Sequence, residues 1–135
     1  MSCENTSPDT PRLRIRLMLG EMIAIGPGKA DLLAAIAEAG SIAAAGRAMG
    51  MSYKRAWYLL DDMNRCFREP VVQASKGGKG RGGAVLTPTG RQVLDLFRAL
   101  ETRLGETAGK ELAELSALLN AIPRPGSGHE QDVEL

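Results

Sequence analysis

The chain has 135 residues, 44% apolar and 24% charged, with a formal net charge of +1, a size and mixture that describe one ordinary globular domain and exclude a disordered polymer. No apolar run is long enough to cross a bilayer, so no membrane partner is expected. The polar stretch from Met1 to Pro11 lacks the apolar segment of a secretory signal, so the cytoplasm is the expected compartment. Two cysteines, Cys3 and Cys66, and a single histidine, His129, supply neither a disulfide framework nor a zinc site, and no cofactor or metal is expected.

Residues 1–11 read as a disordered arm. From Arg12 to Leu19 arginines alternate with aliphatics, which predicts a strand with one wet face. We read it as an edge strand kept soluble by its arginines; a DNA-facing role for them is the secondary reading. Gly26-Pro27-Gly28 is a break, after which Leu32, Leu33, Ile36 and Ala37 recur at helical spacing until Gly40. Ser41 is the N-cap candidate of a second, short helix ending at Gly50, and Ser52 caps a third running to about Phe67. The gap between the second and third helices is that of a helix-turn-helix. Glu69-Pro70 ends the third helix. Two short strands, Val71 to Ala74 and Ala84 to Leu86, then flank a basic glycine loop, which predicts a hairpin. Thr87-Pro88 starts a long helix whose apolar residues Val93, Phe97, Leu100 and Leu104 continue into a shorter one, with interruptions at Gly105 and Gly109. Residues 123–135 read as a disordered tail.

The order of strand, three helices, hairpin and long helix predicts a mainly α fold: a winged helix-turn-helix over 12–87 and a dimerisation helix region over 88–122. At about 100° per residue, Ala56, Leu60, Met63 and Phe67 form the buried stripe of the third helix. Lys54, Tyr58, Asp61 and Arg65 face outward. Tyr53, Trp57 and Asn64 line one boundary, and Arg55 with Asp62 the other. Ser52, Tyr53, Lys54 and Arg55 crowd donors at a helix N-terminus, which already carries partial positive charge. A recognition helix enters the major groove by that end. Trp57 is either a DNA contact or a cover over the edge of the core.

Charge supports this reading once it is resolved along the chain. Residues 1–50 are neutral, 51–91 carry +5, and 92–135 carry −4. Lys76, Lys79 and Arg81 share the glycine loop with no acid. A nucleotide-binding loop is excluded there, because Gln73 stands where its first glycine belongs and Gly80 follows Lys79. A wing along the DNA backbone is the preferred reading. The stripe of Val93, Phe97, Leu100 and Leu104 either closes the domain's own core or forms a dimer seam; the seam is the preferred reading, since the helix extends beyond what a small three-helix core can cover and operators usually take symmetric dimers.

Gly40-Ser41-Ile42, Gly50-Met51-Ser52-Tyr53-Lys54-Arg55-Ala56-Trp57 and Met63-Asn64 resemble the N-terminal domain of the ModE family of molybdate-responsive regulators. So does the run from Gly77 to Thr87, with Gly90 following. The resemblance covers about residues 12–104 and extends more distantly to the LysR-type DNA-binding domain. It implies a prokaryotic homodimeric transcription factor that binds double-stranded DNA and regulates molybdenum-related genes. Ser41, Ser52, Tyr53, Lys54, Arg55, Trp57, Tyr58, Lys76, Lys79 and Arg81 are the expected DNA-facing residues. Only thirteen residues follow Ile122, without the β pattern of that family's molybdate-binding portion. Direct molybdate binding is therefore not expected. The alternative function is a protein-interaction module that heterodimerises through its C-terminal helix. An enzyme is not expected: the only histidine lies in the tail, and Asp61-Asp62 reads as helix surface. Cys66 reads as a small apolar filler, with redox sensing as the lesser alternative.

Overall fold

Two adjacent short strands, β1 (Leu17–Leu19) and β2 (Met22–Ile25), are the first elements of the computed structural model, which describes residues 10–75 and 82–126. Lys76, Lys79 and Arg81, like Cys3 and His129, lie outside the described residues, as do most of the expected arm and tail. The strand expected from Arg12 is therefore shorter and is half of a hairpin. Gly20 takes φ 62 at the first position of the turn that joins Leu19 to its partner Met22. Turns of that kind need a positive φ there. Leu17 pairs with Ile25, and β2 can go no further because Pro27 begins a helix. Residues before Leu17 thus have no strand to pair with.

Helix α1 (Pro27–Ala39) has proline in its first turn, where the missing N–H costs nothing. It ends on Gly40, at φ 79, whose N–H bonds the carbonyl of Ile36 at 2.9 Å. The expected break at Gly26-Pro27-Gly28 is thus a helix start. Ser41 caps α2 (Ile42–Ala48), its Oγ accepting the Ala44 N–H at 3.0 Å. Gly50, at φ 71, turns the chain toward α3 (Tyr53–Cys66), capped by Ser52 Oγ on the Arg55 N–H at 3.0 Å. A Cβ on Gly46 would lie 3.3 Å from the Met51 carbonyl oxygen and 3.5 Å from the Ala56 Cβ, so α2 and α3 meet closely at the turn.

The second hairpin pairs β3 (Val72–Ser75) with β4 (Gly83–Leu86), from Val72 opposite Leu86 to Ser75 opposite Gly83. It is tied to the helices at both ends. The Ala84 N–H reaches the Gly40 carbonyl at 2.8 Å. The Val71 N–H reaches Asn64 Oδ1, on α3, at 2.8 Å. Because Val71 is fully buried, Asn64→Ala would strand that donor. It should lower stability by about 1–3 kcal/mol in urea unfolding, while Asn64→Asp, which keeps the acceptor, should lose less.

Thr87 starts α4 (Pro88–Thr107). Its hydroxyl donates to the Pro70 carbonyl at 2.6 Å and accepts the Gly90 N–H at 2.9 Å, while its own N–H bonds the Val71 carbonyl at 3.0 Å. Gly90 then lies directly against Val71: a Cβ there would fall 1.9 Å from its carbonyl oxygen. Gly105 does not interrupt α4, and α5 (Gly109–Ala117) follows after a short break.

The core joins Leu32, Leu33 and Ile36 of α1 to Ala56, Leu60 and Met63 of α3, with Ile25, Val71, Leu94 and Phe97 around them. Phe67, at the end of the expected stripe, is only partly buried. Arg14–Leu104 forms one compact unit, and the residues from Gly105, with those before Arg14, fall in another. Most of α4 therefore belongs with the helical core rather than beginning a separate region. Phe97 is only 3% exposed within this one chain and Val93 packs on the same core, whereas Leu100 is open to solvent and Leu104 is half-buried. The four residues expected to form a dimer seam thus divide. Phe97 lies in the core of this chain itself. In the second unit α5 buries no residue, and Leu115, Leu118, Leu119 and Ile122 stand in solvent.

Candidate nucleic-acid interface

Burial on one stripe fixes which side of α3 is left over. Ala56, Leu60 and Met63 are buried, and Tyr53, Lys54, Arg55, Trp57, Tyr58 and Arg65 are exposed. The chain's one tryptophan and both tyrosines all sit here, with 45–56% of their surface in solvent. Leaving three large aromatic rings uncovered on one helix is costly in water unless a partner uses them. Trp57 and Tyr58 meet edge to face, with ring centroids 6.1 Å apart, and Lys54 Nζ lies 5.8 Å from the Tyr58 ring centre. The outward face is thus a linked cationic and aromatic surface. Trp57 has 45% of its surface in solvent.

The two serines serve the backbone first. Ser41 and Ser52 each accept an N–H of the helix they cap. Each hydroxyl keeps its own hydrogen to donate, so a phosphate oxygen could be held without breaking the cap. The first N–H groups of α3 have no intrahelical acceptor, and they point out of the helix end.

Tyr53 and Arg55 leave the first turn of α3 in different directions. Tyr53 lines a groove of about 300 Å³ with Ile42 and Ala43 of α2 and with Gln73, Gly82 and Gly83 of the second hairpin. Gln73 is an exposed polar group in that groove, and it was not among the DNA-facing residues expected from the sequence. Arg55 lines a separate groove with Arg14, Arg16, Lys29 and Asp62. The expected wing cations Lys76, Lys79 and Arg81 fall outside the described residues, between β3 and β4.

Lys29 is a lysine that sequence spacing could not single out. Only 6% of it is exposed; its ammonium donates to the Ile23 carbonyl and pairs with Asp62 at 3.4 Å. It joins β2, α1 and α3, so Asp62 is a structural partner and not plain helix surface. Arg98 plays a similar part on α4, reaching Asp31 on α1 at 2.9 Å and Glu101 at 3.3 Å. Burial pulls its pKa down, but hydrogen bonds and charge from Asp31 and Glu101 outweigh that and raise it. Among the described residues no cluster of His, Cys, Asp and Glu could hold a metal ion, and no helix is long and apolar enough to cross a membrane.

A short helix, a four-residue turn from Met49 to Ser52, a helix with a solvent-facing basic N-terminus and a following hairpin define a winged helix-turn-helix DNA-binding domain. Residues 29–91 match the family described as bacterial regulatory helix-turn-helix protein, lysR family. The chain is also homologous to the N-terminal part of several named regulators. It is 42% identical over 99 residues to the molybdenum-pterin-binding protein MopB of Rhodobacter capsulatus, covering 73% of this chain and 35% of MopB. It is 35% identical over 115 residues to the DNA-binding transcriptional dual regulator ModE of Escherichia coli (strain K12), covering 82% of this chain and 44% of that protein. The transcriptional regulator ModE of Yersinia pestis is 35% identical over 113 residues, with 82% and 43% covered. The chain thus spans less than half the length of the curated relatives it matches.

Proposed function

We propose that the chain is a sequence-specific, homodimeric transcriptional regulator of molybdenum-related genes, acting in the cytoplasm. The observation that carries the reading is the uncovered basic and aromatic N-terminal face of α3 within a lysR-type helix-turn-helix domain. In this reading α3 enters the major groove by its first turn. Lys54 and Arg55 donate to the O6 and N7 edge of guanine, the one pattern a bidentate cation reads well. Tyr53, Trp57 and Tyr58 pack against sugar, phosphate or thymine methyl groups, and Ser41 and Ser52 donate to phosphates. Lys76, Lys79 and Arg81 follow the neighbouring backbone. The name of one relative, the molybdenum-pterin-binding protein MopB, supplies the molybdenum connection.

Homodimerisation is supported by uncovered leucines: Leu96 and Leu100 on α4, and Leu115, Leu118 and Leu119 on or just beyond α5. Large apolar side chains left in solvent on a helix suit an association surface. The same leucines would serve a heterodimer with another regulator, which is the second reading.

Two measurements test the proposal together. Genomic fragments retained by the protein should share a palindromic sequence, and anisotropy titration against it should show affinity falling steeply with salt. Light scattering of the pure protein should give twice the chain mass. Salt-independent or absent binding removes the DNA reading. A monomer that binds DNA only with an added partner favours the heterodimer.

A further inference from the structure

The groove beside Arg55 has a second set of cations that the helix-turn-helix does not explain. Arg14 and Arg16 line it from the segment before β1, across a volume of about 530 Å³. Ile15 between them packs on the core, which fixes this extended stretch against the domain and leaves its two neighbours at the surface. The stem of Arg16 lies over Gly26, where a Cβ would come 3.1 Å from its Cγ. Arg14, Arg16 and Arg55 have no side-chain ion pair among the described residues. The one carboxylate on the groove wall, Asp62, is already paired with buried Lys29. Three uncompensated guanidinium groups therefore share one open groove, and it begins at the first turn of the recognition helix.

We propose that Arg14 and Arg16 form, beside the base-reading Arg55, a second surface that holds phosphate and seats the DNA backbone flanking the major groove read by α3. The inference rests on the DNA-binding reading above. The arginine fork matches two phosphate oxygens at once, and continuity through Arg55 puts the surface at the groove edge rather than on an unrelated side. The alternation of arginine and aliphatic residues from Arg12 onward then has a second use. Ile15 anchors the segment, and the arginines on either side of it stand in solvent.

The test uses the full chain and a fluorescein-labelled random-sequence duplex three helical turns long, titrated across a salt series. In Arg14→Ala/Arg16→Ala the slope of log affinity against log salt should flatten by about 0.9 for each phosphate that is no longer neutralised, with about a tenfold loss of affinity at the lowest salt. Arg103→Ala/Arg124→Ala removes the same charge elsewhere and should leave both unchanged. A second variant separates binding from folding. Gly28 occupies the first turn of α1 on the groove wall, and a Cβ there meets nothing within 4 Å. Gly28→Asp favours the helix start yet sets a carboxylate in the groove, so it should weaken binding with the melting temperature held or raised. Wild-type affinity and slope in both Arg14→Ala/Arg16→Ala and Gly28→Asp would overturn this second surface and leave the DNA reading standing. An equal loss in the Arg103→Ala/Arg124→Ala control would also overturn it. No salt-dependent binding by the wild-type chain would remove both.

Discussion

Replacing Gly90 with alanine is expected to lower the unfolding free energy by about 3 kcal/mol or more, a large share of the stability of a domain this size. The methyl group would sit 1.9 Å from the Val71 carbonyl oxygen and 2.8 Å from its carbon, and both are backbone atoms that no rotamer change can move. Relief requires the first turn of α4 to lift away. That motion breaks the bond from the Thr87 N–H to the Val71 carbonyl and the one from the Thr87 hydroxyl to the Pro70 carbonyl. Alanine's better helix propensity returns only about 1 kcal/mol, so the clash wins. Gly105, in the same helix, is the internal contrast: its Cβ position is empty. Gly105→Ala should raise stability by about 0.5–1 kcal/mol. Urea midpoints from circular dichroism check both, and a wild-type midpoint for Gly90→Ala would refute the close approach.

Arg55→Ala should weaken binding to the specific operator by about 1–3 kcal/mol while costing much less on random duplex. The side chain is exposed, and its backbone N–H is held by Ser52 whatever the side chain is. The fold should therefore be unaffected, and alanine is the better helix former. Arg55→Lys sharpens the result, since it keeps the charge and loses the fork. Recovery of random-sequence binding without recovery of operator preference would identify base reading. An equal loss on both duplexes would instead group Arg55 with Arg14 and Arg16 on the phosphates.

Local chemistry made the helix boundaries readable. Ser41, Ser52 and Thr87 act within three residues of themselves, and Gly40 and Gly50 each impose a backbone angle without help from elsewhere. The polarity of α3 was readable for the same reason, because its period is internal to the helix. What depended on distant partners was not. Met22-Ile23-Ala24-Ile25 has no alternation and becomes a strand only because Gly20 folds β1 onto it. The pairing of Lys29 with Asp62 joins residues far apart in the chain, and no spacing rule reaches that far. Phe97 repeats at the right interval for any apolar seam, and periodicity does not distinguish the chain's own core from a partner's.

The attachment of α4 bears on how DNA sites could be arranged. Thr87 and Gly90 weld its first turn to the segment between α3 and β3, with no free linker residue between the DNA-reading unit and the helix. In a homodimer joined through that helix, the spacing of the two reading heads is set by protein geometry and cannot stretch. Such a regulator would reject operators whose half-sites are moved by even one or two base pairs, since each added pair also rotates one half-site around the duplex axis. Regulators with flexible hinges tolerate those changes; in such a homodimer, spacing itself would become part of the recognised sequence.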